Sequence, residues 1–236
     1  GAGVLSATVT GLLTNSGKIA TNGTSTISAA TIANTGDVTA ANALSLTASN
    51  SLSNGGLLAS GDALIVQAGV IAGQGGTFEA KGPLGLTAGD IALGNAQIYA
   101  LGSAPLTLVS TGALTASGAR IGGNGNVSLS AVSMSLGGSE MSALGTLGLT
   151  ASTGDLNLGS GGVLASSGAV TVSSSGIIDA KGASVATNGI ASLSATQILL
   201  DDGSLQADTF VLSAPLISLK RAKLRQTGTA DLTLQT

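Results

Sequence analysis

The chain repeats itself about every twenty-one residues, and nothing else in it restricts the fold as tightly. An apolar residue two positions ahead of a small one recurs as Leu5, Ile27, Leu46, Val66, Leu86, Leu108, Leu129, Leu149, Val172, Leu193, Leu212 and Leu234. Successive gaps are 22, 19, 20, 20, 22, 21, 20, 23, 21, 19 and 22. Each anchor centres an alternating stretch such as Leu44-Ser45-Leu46-Thr47-Ala48 or Phe210-Val211-Leu212-Ser213-Ala214. Alternation of period two marks a strand with one face turned inward. The residue after the anchor is polar everywhere except Val109, so that row faces water; the next is Ala in nine of twelve cases, a small inward residue beside a corner.

A second row follows about thirteen residues later: Ile19, Val38, Leu57, Phe78, Ile98, Ile121, Met141, Val163, Val185, Leu205 and Leu224. Between the two lies an intermediate row, seen in Ile91-Ala92-Leu93, Met134-Ser135-Leu136, Leu156-Asn157-Leu158, Ile198-Leu199-Leu200 and Ile217-Ser218-Leu219. Clusters such as Asn54-Gly55-Gly56, Gly122-Gly123-Asn124-Gly125 and Asn188-Gly189 supply the corners. Three strands per repeat, each too short to stand alone, predict an all-β fold: a right-handed parallel β-helix, or three-sheet β-solenoid, of about 11 coils of roughly 21 residues. At about 4.8 Å per coil the rod is roughly 50 Å long.

Composition agrees with a narrow, dry core. With 43% of residues hydrophobic and 8% charged the chain is able to fold, yet Phe78, Tyr99 and Phe210 are its only aromatics. It has no Cys, which removes disulfides and thiolate metal sites, and no cofactor site is expected. Eight basic against eleven acidic residues give no electrostatic case for nucleic acid. No uninterrupted apolar span and no export signal is present, so residues 1–236 read as a single shaft segment of a longer chain, without caps or a secretion domain. Uncapped ends predict fraying or end-to-end self-association, with hydrogen exchange fastest at the two termini.

The repeats resemble those of the filamentous haemagglutinin family, the large exoproteins of Gram-negative two-partner secretion. The similarity is carried by Gly154-Asp155-Leu156-Asn157-Leu158, Gly112-Ala113-Leu114-Thr115-Ala116-Ser117-Gly118 and Ala191-Ser192-Leu193-Ser194-Ala195, and it extends over essentially the whole chain. The family's secretion domain carries Asn-Pro-Asn motifs. Here the three prolines follow Gly82, Ala104 and Ala214, so that domain is not represented. The resemblance implies a non-enzymatic rod within a secreted or cell-surface exoprotein, an adhesin or a stick for contact-dependent growth inhibition. Its parent would be exported through an outer-membrane partner, and its target would be a host or bacterial surface receptor or glycan.

Three other readings compete. One sheet face would itself recognise a receptor or glycan. Alternatively, a polysaccharide-degrading β-helix would use Asp179, Asp201 and Asp202, since 22 residues separate Asp179 from Asp201 and neighbouring coils bring such carboxylates together. Against catalysis, the chain has no His and no aromatic platform but Tyr99, which should face outward one coil from Glu79. Ice binding would need regular Thr pairs, and the outward row mixes Ser, Thr, Gln and Val. Half of all basic residues fall in Lys220, Arg221, Lys223 and Arg225, a candidate contact for an anionic ligand or simply a solvated face.

Overall fold

The computed structural model describes residues 3–159, 161–230 and 232–236. Among them every element is a strand, and every strand pairing is parallel. The chain winds through about eleven coils, each strand bonded to its equivalent one coil before and one coil after. Three faces result, named here in chain order. The anchor face begins at Leu5–Thr8 and ends at Thr233–Gln235. An intermediate face begins at Leu12–Asn15, and a far face of eleven strands runs from Lys18–Thr21 to Lys223–Gln226.

Hydrogen bonding joins these into two sheets rather than three. In four coils one strand runs unbroken round the corner between the anchor and intermediate faces: Ser25–Asn34, Leu44–Asn54, Leu64–Ala72 and Leu84–Ala92. Register shifts near Ala29 and Ala48 let the backbone bend without ending its ladder. From Leu106–Ser110 onward the faces separate, because sharper turns such as Ser110-Thr111-Gly112 interrupt pairing.

The core is a column of stacked like residues. Ile27, Leu46, Val66, Leu86, Leu108 and Leu129 pair one above another and are almost wholly buried, and the series continues in register to Leu234. Its first member differs from the expected one, since Ala7 and not Leu5 sits opposite Ile27. On the far face Leu58 and Leu164 take the inward places expected for Leu57 and Val163. In each case two adjacent aliphatics compete, and ladder register selects the one that continues the column, leaving Val163 37% exposed.

Corners are locked between coils by small polar side chains. Ser110, Ser166, Ser174 and Thr187 each accept a bond from the N–H two residues on and donate to a carbonyl one coil back. The corner leading to the far face exists in two forms. In the first three coils Asn15, Asn34 and Asn54 stack in the interior as an amide ladder, with Nδ2 of Asn15 donating to Oδ1 of Asn34 and Nδ2 of Asn34 to Oδ1 of Asn54, both at 2.8 Å. Gly36 and Gly56 complete these turns, and a Cβ on Gly36 would stand 2.0 Å from the Gly17 carbonyl oxygen.

From Gly75 onward the ladder gives way to turns whose third residue is left-handed. The column runs Gly75, Asn95, Gly118, Gly138, Gly161, Gly182, Asp202 and Arg221. Gly138 has φ of 69° with open space where a side chain would go, so Gly138→Ala isolates the backbone term. It should lower unfolding stability by about 1–2 kcal/mol in a urea titration, and an unchanged midpoint would contradict the left-handed turn.

Candidate functional site

The structure disperses the carboxylates that would have to cooperate in catalysis. Asp179 pairs with Leu199, so it does not lie opposite Asp201, and its own carboxylate meets Lys181 at 3.7 Å. Two residues further on, Asp201 accepts bonds from the Ser218 hydroxyl at 2.6 Å and the Lys220 N–H at 2.8 Å. Asp202 is gripped from the next coil by Arg221, Nε to Oδ1 at 2.5 Å and a terminal nitrogen to Oδ2 at 2.6 Å. The expected Asp179–Asp201 neighbourhood is thus corrected, because the turn offsets the two acids along the chain and places cations beside each.

These contacts fix the protonation states. The Ser218 hydrogen bond, followed by that of the Lys220 N–H, holds Asp201 below its ordinary value of 3.8; the Arg221 hydrogen bond does the same to Asp202. Asp202 in turn raises the Arg221 guanidinium. A glycosidic general acid needs the opposite shift. With folded values depressed, the corner contacts are complete above the ordinary aspartate range and are lost as pH falls through the lower folded values. Carboxyl carbon NMR titrations of Asp201 and Asp202 should give midpoints below 3.8, and a raised midpoint at either would restore the general-acid reading.

The basic cluster is divided by the same geometry. Arg221 is engaged with Asp202 and Lys220 lies beside Asp201, whereas Lys223 and Arg225 point outward from the last far-face strand, next to Ser204 and Gln206. Among the described residues no group of three or more acidic side chains is arranged to hold a metal ion, and no helix is long and apolar enough to cross a membrane.

A built depression lies elsewhere, on the outer side of the far face. Its row of outward residues runs Tyr99, Gly122, Ser142, Ala165, Ala186 and Gln206 in successive coils. Four small residues between two large ones leave a trough of about 440 Å³. Leu101, Asn124 and Leu144 rise along one side from the corner leading back to the anchor face. Arg120, Glu140 and Val163 stand on the other, with Arg120 and Glu140 paired at 3.2 Å. Tyr99 packs beside Glu79 as expected, and its ring leans over Gly122, where a Cβ would come within 3.1 Å of Cδ1.

The family model described as haemagglutinin repeat matches residues 1–56 and 39–118, together half of the chain. The chain belongs to the haemagglutinin-repeat family. The matched half of this haemagglutinin-repeat rod holds the asparagine ladder, and the half beyond it keeps the same parallel register through Leu234. No curated protein and no solved structure matches the chain.

Reasoning from sequence missed two features of this haemagglutinin-repeat rod. The asparagine ladder was signalled by Asn-x-Gly at coil spacing, in Asn15-Ser16-Gly17, Asn34-Thr35-Gly36 and Asn54-Gly55-Gly56. The trough was signalled by small residues following the inward far-face row in four consecutive coils, but placing Val163 inward conceals Ala165.

Proposed function

We propose that this haemagglutinin-repeat segment is a non-enzymatic spacer in a large exoprotein at the surface of, or secreted by, a Gram-negative bacterium. Its parent would cross the outer membrane through a dedicated secretion partner and use the rod to hold an adhesive or toxic domain away from the cell. The observation that supports this reading most is the anchor column, whose members stack from coil to coil in one register from Ile27 to Leu234 among the described residues. Stiffness in such an assembly comes from every coil being bonded on both sides.

Removing one whole coil, residues 127–146, joins Asn126 to Leu147, which occupies the place of Val127 in the ladder. The rod should shorten by about 4.8 Å and keep its fold. In the parent protein, activity should follow coil number and be indifferent to exchange of outward residues. Loss of activity on exchanging outward residues at constant coil number would overturn the spacer reading. An anionic contact at Lys223 and Arg225 is a separate proposal, and unchanged heparin binding after neutralising Lys220, Arg221, Lys223 and Arg225 would end it.

A further inference from the structure

We propose that the corner step Asn124–Gly125 is a site of spontaneous covalent modification, where the asparagine closes to a succinimide and reopens as aspartate or isoaspartate. The chain has four Asn–Gly steps, at Asn22, Asn54, Asn124 and Asn188. Glycine has no side chain to hinder its nitrogen, so each step is reactive in an unfolded chain. What separates them in the folded rod is where the glycine N–H goes. A nitrogen held in a hydrogen bond attacks only when that bond opens.

Asn124 and Asn188 occupy the same corner three coils apart, each directly after a far-face strand, Arg120–Gly123 and Ser184–Thr187. At Asn188 the step is capped: the Gly189 N–H donates to the Thr187 hydroxyl at 3.0 Å, and that hydroxyl donates to the Gly168 carbonyl one coil back. Gly123 stands in the row of Thr187 and has no side chain, so the Gly125 N–H is left without an acceptor among the described residues. The atom to be attacked is open as well. Asn124 is exposed, and its bond from Nδ2 to the Leu101 carbonyl at 2.5 Å leaves Oδ1 and the carbonyl carbon uncovered.

The other two steps fall on either side of this division. At Asn54 the Gly55 N–H donates to the Asn34 carbonyl at 2.8 Å, and the side chain is buried in the amide ladder. At Asn22 the Thr21 hydroxyl bonds the Gly23 carbonyl at 3.2 Å and the Ser25 hydroxyl at 2.8 Å, so the Gly23 N–H is uncapped like that of Gly125. The reactive residue is also one the corner requires, since a Cβ on Gly125 would stand 2.4 Å from the Ser103 carbonyl oxygen.

In the reaction the Gly125 nitrogen gives its proton to hydroxide and bonds to Cγ of Asn124, while the Cγ–Nδ2 bond breaks and ammonia leaves with a proton from water. Water then opens the ring: cleavage of the new N–Cγ bond gives aspartate, and cleavage of the original peptide bond gives isoaspartate. In sum, water is consumed and ammonia released. The product carboxylate has no hydrogen to give Leu101, so each event removes a bond between coils and adds a negative charge at the corner.

The intact chain, incubated at mildly alkaline pH, would be followed by peptide mass spectrometry and by isoaspartyl methyltransferase labelling. Arg120 and Lys181 put Asn124 and Asn188 on separate tryptic peptides. Asn124 should lose its amide at least about tenfold faster than Asn188 or Asn54, with Asn22 reacting as well, and the differences should vanish in urea. Thr187→Ala places at the Asn188 corner the residue that Ala143 already supplies in the same row, so the fold is kept. It should raise the Asn188 rate at least about tenfold. Equal rates at Asn124 and Asn188 in the folded chain, an Asn124 that stays intact while the urea-unfolded chain converts, or a Thr187→Ala variant with Asn188 as slow as before would overturn the proposal.

Discussion

Phe78→Ala should destabilise the rod by about 4 kcal/mol, the largest loss expected from a single truncation. Phe78 is completely buried and stands where the asparagine ladder stops. The place that a fourth asparagine would occupy in register with Asn54 is Gly73, and a Cβ there would lie 2.7 Å from Phe78 Cε2 and 2.8 Å from Leu93 Cδ2. Ring and glycine are therefore one device, the ring filling space the glycine leaves. Gly73→Ala alone should cost about 2 kcal/mol by overpacking, and in the Phe78→Ala background most of that cost should vanish. Urea unfolding of the two single variants and the double variant measures the coupling. Strict additivity would show that the ring does not depend on the glycine.

Asn34→Ala should cost about 3 kcal/mol. Asn34 is the middle rung: it accepts from Asn15 and donates to Asn54, to the Gly36 carbonyl at 2.9 Å and to the Leu57 carbonyl at 3.3 Å. Truncation leaves the Asn54 carbonyl oxygen in a dry interior without its donor, and each stranded group carries a penalty of about 1–3 kcal/mol. Asn34→Leu should be no better, because it fills the volume while leaving the same groups stranded. Hydrogen exchange in either variant should quicken in the coils around Asn15 and Asn54 and stay slow around Leu149 and Val172. Uniform acceleration along the whole rod would mean that the ladder stabilises the fold as one cooperative unit.

How far the sequence discloses this architecture depends on what each residue's neighbours are. The anchor column was legible from Ile27 to Leu234 because most of its members are flanked by polar or small residues, and the repeat spacing settles the inward side where Ile65, Val109 or Val211 stands beside an anchor. At Leu57-Leu58 and Val163-Leu164 hydropathy offers two equal candidates, and only the ladder to the adjacent coil separates them. The corner acids were legible as residues but not as partners. Asp201 is bound by Ser218 and Lys220 one coil away, and a turn shifts its alignment with Asp179 by two places. The trough was harder still, since it consists of side chains that are small, and small residues signal a corner as readily as a floor.

The boundary at Gly73 and Phe78 also constrains how such a protein changes length over generations. Unequal recombination between repeats inserts or drops whole coils, and within either segment a coil meets neighbours built like itself. Across the boundary the seams are unlike: a buried amide on one side must face another amide, while a left-handed turn on the other offers it none. Duplications should therefore accumulate in blocks on each side of Phe78, with the junction itself inherited as a single copy.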